Sequence, residues 1–112
     1  MKIRTEIEID AAHKLSLPYK SKCNNLHGHR WRVEIEIEAD MYADYNMIVD
    51  FAQIKKVVSK YDHTYLNDFF DQNTTCEFLA KMWAEEMYEL FPGLDFLVRV
   101  WETPKSYAEY KI

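Results

Sequence analysis

Residues 27 to 38, HGHRWRVEIEIE, alternate without a break. Odd positions hold His27, His29, Trp31, Val33, Ile35 and Ile37, while even positions hold Gly28, Arg30, Arg32, Glu34, Glu36 and Glu38. Alternate residues of a β-strand share a face. A slip of one residue would exchange the whole apolar row for the whole charged row, so the register is strongly specified. The chain is therefore expected to build a sheet with one covered face and one charged face. The covered row, however, begins with two histidines.

The remaining elements follow from the same kind of pattern. Residues 2 to 13 alternate with Ile3, Ile7, Ile9 and Ala11 on one face, and without a bulge His13 shares it. Residues 14 to 26 read as a loop, and the second strand runs from 27 to 39. Asn46 suits a left-handed turn. Asp50 and Gln53 resemble a capping box ahead of Phe51, Ile54, Val57, Val58 and Tyr61 at helical spacing. A second helix is expected from NTTCE, capped by Thr74 with Glu77 or by Asn73. Its apolar side is Phe78, Leu79, Met82, Trp83, Met87 and Leu90, and FPG ends it. Residues 94 to 102 alternate again, TPK turns the chain, and residues 106 to 112 make a last short strand. The order β-β-α-α-β-β predicts one α+β domain, residues 1–112, with two helices on one face of an antiparallel four-stranded sheet. Its open edges favour association with further copies.

His13, His27, His29 and His63 are the only histidines. The first three fall at strand ends on converging apolar faces. Neutral imidazole is a common zinc ligand, and catalytic zinc keeps three protein ligands and an open position. Two other readings stand beside this one. The histidines could be ordinary hydrogen-bonded core residues, or Cys23 could complete a closed structural site. Glu102 continues the row of Leu94, Phe96, Val98 and Val100. A carboxylate there must meet a cation, backbone donors or a ligand unless the strand has already ended.

Composition narrows the function classes. A net charge of -5 argues against nucleic acid as a partner. Two cysteines make no disulfide framework and favour a reducing compartment. No signal-peptide core and no apolar run long enough to span a bilayer is present, so the expected setting is the cytoplasm, away from membranes.

The motifs AAHKL, CNNLHGH, VDFAQIK, YDHTYLN, TTCEFLA and WET occur in this order along nearly the whole chain. Together they resemble the 6-pyruvoyltetrahydropterin synthase family, and within it the branch that forms 6-carboxytetrahydropterin. The resemblance implies a tunnelling fold whose trimers close an antiparallel β-barrel and stack in pairs as a hexamer. It implies Zn²⁺ held by His13, His27 and His29, Cys23 as catalytic thiolate, His63 as its proton-transfer partner with Asp62 beside it, and Glu102 as the pterin anchor. The implied substrate is 7,8-dihydroneopterin triphosphate and the implied products are 6-carboxytetrahydropterin, acetaldehyde and triphosphate, on the route to queuosine and other 7-deazaguanines. The three residues between Cys23 and His27 match the carboxy-forming branch. A pyruvoyl-forming enzyme and a non-catalytic zinc-stabilised pterin-binding module remain alternatives. Cys76 stands where this branch commonly has serine, and its place near a helix N-terminus raises the possibility of a lowered thiol pKa. The substrate's triphosphate needs a basic patch, for which Lys14, Lys20, Lys22 and Arg30 are candidates.

Overall fold

The computed structural model describes residues 1–112. Strands β1 (Lys2–His13) and β2 (His27–Glu38) form an antiparallel hairpin, and β2 then pairs with β4 (Asp95–Thr103), which pairs with β5 (Ser106–Lys111). Helices α1 (Phe51–Ser59) and α2 (Cys76–Leu90) lie between β2 and β4 in sequence. A further strand, β3 (Thr64–Tyr65), pairs in parallel with Ala11 and Ala12 of β1. The sheet is therefore five-stranded and mixed, in the order β3-β1-β2-β4-β5, not four-stranded and antiparallel as expected. Two residues are too few to show an alternation, and their partner lies about 50 positions upstream, so no local pattern marks them.

The alternation of the strands is realised as burial. Ile9, Ala11 and His13 of β1, the odd row of β2 from Trp31 to Ile37, and Phe96, Val98 and Val100 of β4 are buried. Ile54, Val57 and Val58 of α1 and Leu79, Trp83 and Met87 of α2 meet them in one hydrophobic cluster. Trp31, Trp83 and Phe96 are essentially inaccessible to solvent. Truncating such an aromatic to alanine typically costs about 3–5 kcal/mol. Phe51 and Leu90, read as apolar-side residues, are instead 42% and 57% exposed, because each sits at the outer end of its helix.

The caps differ from the expected boxes. Asp50 does cap α1, accepting the Ala52 N–H at 2.9 Å. On α2 the cap is Thr75, whose hydroxyl accepts the Phe78 N–H at 3.1 Å, one residue later than Thr74. Thr74 is fully buried and is used elsewhere, as described below.

The opposite sheet face carries the charges. Glu34 is only 7% exposed, and its carboxylate lies 3.1, 3.3 and 3.5 Å from Arg4, Arg32 and Arg99. Enclosing a carboxylate is costly unless cations such as these surround it.

Candidate metal centre and active site

The hairpin register sets His13 directly across from His27, and His29 across from Ala11 on the same face. Their ring centroids lie 4.5, 5.2 and 4.8 Å apart for the pairs 13–27, 13–29 and 27–29. Trp31 floors the group, its indole edge-on to His13 at 5.0 Å and to His29 at 5.2 Å, with its N–H donated to the Ala11 carbonyl at 3.1 Å. One ligand atom each from His13, His27, His29 and Glu102 lies within 4.8 Å of the others. The fourth member is therefore Glu102 and not Cys23, whose thiol is free and joins no such cluster. That removes Cys23 as a fourth structural ligand within the protomer.

Hydrogen bonds fix which nitrogens face inward. The Nδ1–H of His13 donates to the Thr74 carbonyl at 3.0 Å, with the Thr74 hydroxyl also at 3.0 Å. The Nδ1–H of His27 donates to the Asn25 carbonyl at 2.7 Å. A carbonyl can only accept, so Nδ1 is the donor in each of these rings and Nε2 is the nitrogen turned toward the cluster. Carbonyl partners of this kind orient histidine ligands in metal sites. The Nε2 atoms of His13 and His29 are buried without a hydrogen-bond partner. Buried polar atoms are seldom left so. The Glu102 carboxylate approaches His29 Nε2 at 2.7 Å and His13 Nε2 at 3.9 Å, without an aligned hydrogen bond to either.

Burial, and then the neighbouring His27, lower the His13 pKa to about 4, and burial lowers that of His29. Both rings are thereby kept neutral at physiological pH, the state a metal requires. The donor set of three imidazole nitrogens with an adjacent carboxylate fits a divalent metal with nitrogen preference.

A second cluster lies where β3 meets β1. Asp10, Asp62 and His63 bring their ligand atoms within 4.8 Å of one another. His63 has φ +59°, a left-handed conformation that a non-glycine residue rarely adopts. Asp10 holds this turn with its backbone. Its carbonyl accepts the His63 N–H at 2.7 Å, and its own N–H donates to Asp62 Oδ1 at 2.8 Å. Asp62 Oδ2 is then 3.7 Å from His63 Nε2, and the imidazole is 79% exposed. The structure thus pairs Asp62 with His63 but leaves Cys23 and Glu102 out of that cluster.

Cys23 sits in a single helical turn, Lys22–Asn24, half-buried, its N–H bonded to the Ser21 hydroxyl at 3.1 Å. Cys76 is the more enclosed thiol, 7% exposed, with its sulfur 3.7 Å from Glu102 Oε2. Burial first, then the Glu102 charge, push its pKa up to about 12. The activation expected from the helix N-terminus is therefore outweighed.

Sequence reasoning missed the carbonyls of Thr74 and Asn25 and the backbone role of Asp10. Only the Thr-Thr pair ahead of α2 carried a signal, since one threonine caps and the other is free to turn inward.

The model of the 6-pyruvoyl tetrahydropterin synthase family matches residues 2–112. The 6-carboxy-5,6,7,8-tetrahydropterin synthase of Bacillus subtilis is 32% identical, the match covering 97% of this chain and 84% of that one. The enzyme of the same name from Haemophilus influenzae is 29% identical, with 98% of each chain covered. Among solved structures, 6-pyruvoyl tetrahydropterin synthase from Caenorhabditis elegans superposes with a TM-score of 0.80 at 26% identity, over 100% of this chain and 95% of that one. The Plasmodium vivax enzyme shares the fold at a TM-score of 0.74 and 14% identity, over 100% and 98% of the two chains. With a match along almost its entire length, this chain belongs to the 6-pyruvoyl tetrahydropterin synthase family.

Proposed function

We propose that this protein converts 7,8-dihydroneopterin triphosphate and one water molecule to 6-carboxy-5,6,7,8-tetrahydropterin, acetaldehyde and triphosphate, in the cytoplasmic synthesis of queuosine and related 7-deazaguanines. The observation that carries the reading is the converging three-histidine cluster beside Glu102, with His13 buried at its base, in a chain whose relatives bear the carboxy-forming name. The spacing of Cys23 from His27 supports the same branch.

His13, His27 and His29 hold Zn²⁺ through Nε2 of at least His13 and His27, the atoms their carbonyl partners leave free. Bound there, zinc would supply Lewis-acid polarisation of the substrate's side-chain hydroxyls. Glu102 receives the amino-pyrimidinone edge of the pterin, whose two neighbouring N–H donors match a carboxylate's two oxygens. Cys23, in the loop that leads into His27, takes a proton from the substrate side chain, and His63 passes protons while Asp62 orients it. The triphosphate leaves, and a water molecule adds as the side-chain carbon–carbon bond breaks, so that acetaldehyde is released and the carbon left on the ring becomes the carboxylate.

Within one protomer Cys23 and His63 lie in separate places, so the reading includes assembly. The outer edge of β1 carries a partner only at Ala11 and Ala12, and β5 has no strand outside it. Pairing of these edges between copies closes the barrel of a trimer, two of which stack as a hexamer, and brings one copy's His63 to another's Cys23.

The test is turnover of 7,8-dihydroneopterin triphosphate with mass-spectrometric identification of the pterin and an enzymatic assay for acetaldehyde. Carboxytetrahydropterin with matching acetaldehyde is the expected result. Pyruvoyltetrahydropterin without acetaldehyde would assign the pyruvoyl-forming reaction instead, and no turnover by zinc-loaded protein would leave a binding module.

A further inference from the structure

We infer that Lys20 and Lys22, flanking the turn that carries Cys23, form the seat for the substrate's polyphosphate tail. The inference rests on the reaction proposed above and adds the residues that recognise the anionic end.

The chain as a whole is acidic, yet no aspartate or glutamate occurs between Ala11 and Val33. That acid-free stretch holds five cations, and the structure sorts them. Arg30 is held by Glu8 at 2.6 Å and Asp10 at 3.0 Å. Arg32 is held by Glu34 at 3.3 Å, with its guanidinium 4.4 Å over the Trp101 ring. Arg30, a candidate from the sequence, is thus already neutralised by two carboxylates. Lys14, Lys20 and Lys22 enter no ion pair, whereas all arginines in the molecule do. The field around this loop is therefore positive and uncompensated, the condition for attracting an anion to a protein of net charge -5.

The loop is also built. Asn67 clamps the backbone of Lys14 through two hydrogen bonds, and Asn73 clamps Ser16 likewise. Asn24 ties Leu17 and Tyr19 to the turn. The same loop holds a depression of about 450 Å³, lined by the polar residues Lys20, Ser21, Lys22, Asn24 and Asn25. One of its lining residues, Asn25, also holds His27 through its carbonyl at 2.7 Å. Two lysine ammonium groups and amide donors around one polar hollow match a chain of phosphates, which accepts hydrogen bonds from every side.

The test uses the zinc-loaded protein, with inorganic tripolyphosphate as probe and Lys20→Gln/Lys22→Gln as variant. Competitive inhibition by tripolyphosphate is expected for the unsubstituted protein. In the double variant its inhibition constant and the KM for the pterin triphosphate should rise together by about tenfold or more, with kcat little changed. Lys55→Gln/Lys56→Gln on α1 should leave both constants unchanged. The inference is overturned if the double variant keeps both constants, if the α1 variant weakens them equally, or if inhibition is non-competitive. Turnover by the unsubstituted protein separates this failure from failure of the proposed reaction, and calorimetric titration of tripolyphosphate reads the seat without turnover.

Discussion

The two histidine-bearing clusters are opposite in construction. His13, His27 and His29 come from the loop end of a continuous hairpin and share one face, and the Nε2 atoms of His13 and His29 are buried without a hydrogen-bond partner. Asp62 and His63 come from a tight turn, stand largely open to solvent, and owe their position to backbone bonds from Asp10. The first is preorganised by regular structure and is electrostatically incomplete without a cation. The second is held in a strained conformation and is chemically incomplete without something set against it. On the proposed function, a site split in this way separates the groups that hold the metal from the group that trades protons.

The largest effect should come from breaking the first cluster. His27→Ala should lose the metal and, with it, turnover to background, while the protein stays folded, because the 21-residue hydrophobic cluster does not include it. Metal analysis with circular dichroism checks this. A variant that keeps both metal and rate would break the comparison at its stronger side.

Cys23 and Cys76 sharpen it next. Cys23→Ala should retain zinc and lose roughly 10²- to 10⁴-fold in turnover, the usual range for a general acid–base group. Cys76→Ser should change turnover little. Iodoacetamide should label Cys23 and spare Cys76, which is buried with its pKa pushed up to about 12. The reverse labelling, read by peptide mass spectrometry, would move the thiol chemistry to Cys76.

The second cluster makes the opposite kind of claim. His63→Gly should abolish proton transfer yet leave the fold equally or more stable, by up to about 1 kcal/mol, since glycine relieves the left-handed strain at φ +59° against its own entropy cost. Calorimetric unfolding beside steady-state rates checks both halves. A clear loss of stability would mean that the imidazole, not the turn backbone, holds the site.

The same contrast has a pH signature in metal-free protein. His13 binds its proton at about pH 4 when folded and near 6.5 when unfolded, through burial and then the nearby His27. Between these values the unfolded chain holds more protons, so stability is full above about pH 6.5 and falls as pH drops toward 4. His29, lowered in the same direction by burial, adds to the loss. Urea midpoints across this window should fall with acidity, and the fall should be much smaller in His13→Gln.

The fold and the three-histidine cluster were legible because both follow from alternation. A period of two tells which residues share a face, and a hairpin without a bulge tells that His13 meets His27. What stayed hidden depended on contacts between distant segments. β3 is two residues long and pairs far back along the chain. The partner of His13 is a carbonyl of Thr74, and any residue type supplies a carbonyl. The choice of Thr75 over Thr74 as cap turns on a one-residue difference that the Thr-Thr pair cannot show. Glu102 could be placed on the buried row of β4, but not beside His29, because that contact depends on where β4 ends relative to β2.

The zinc K-edge absorption spectrum of the purified, zinc-loaded protein bears most directly on the three-histidine centre. A first shell of imidazole nitrogens with one or more light-atom neighbours and no sulfur is the expected result. A sulfur ligand near 2.3 Å, the usual zinc–thiolate distance, would place a cysteine on the metal and contradict the assignment of His13, His27 and His29 as an open catalytic site.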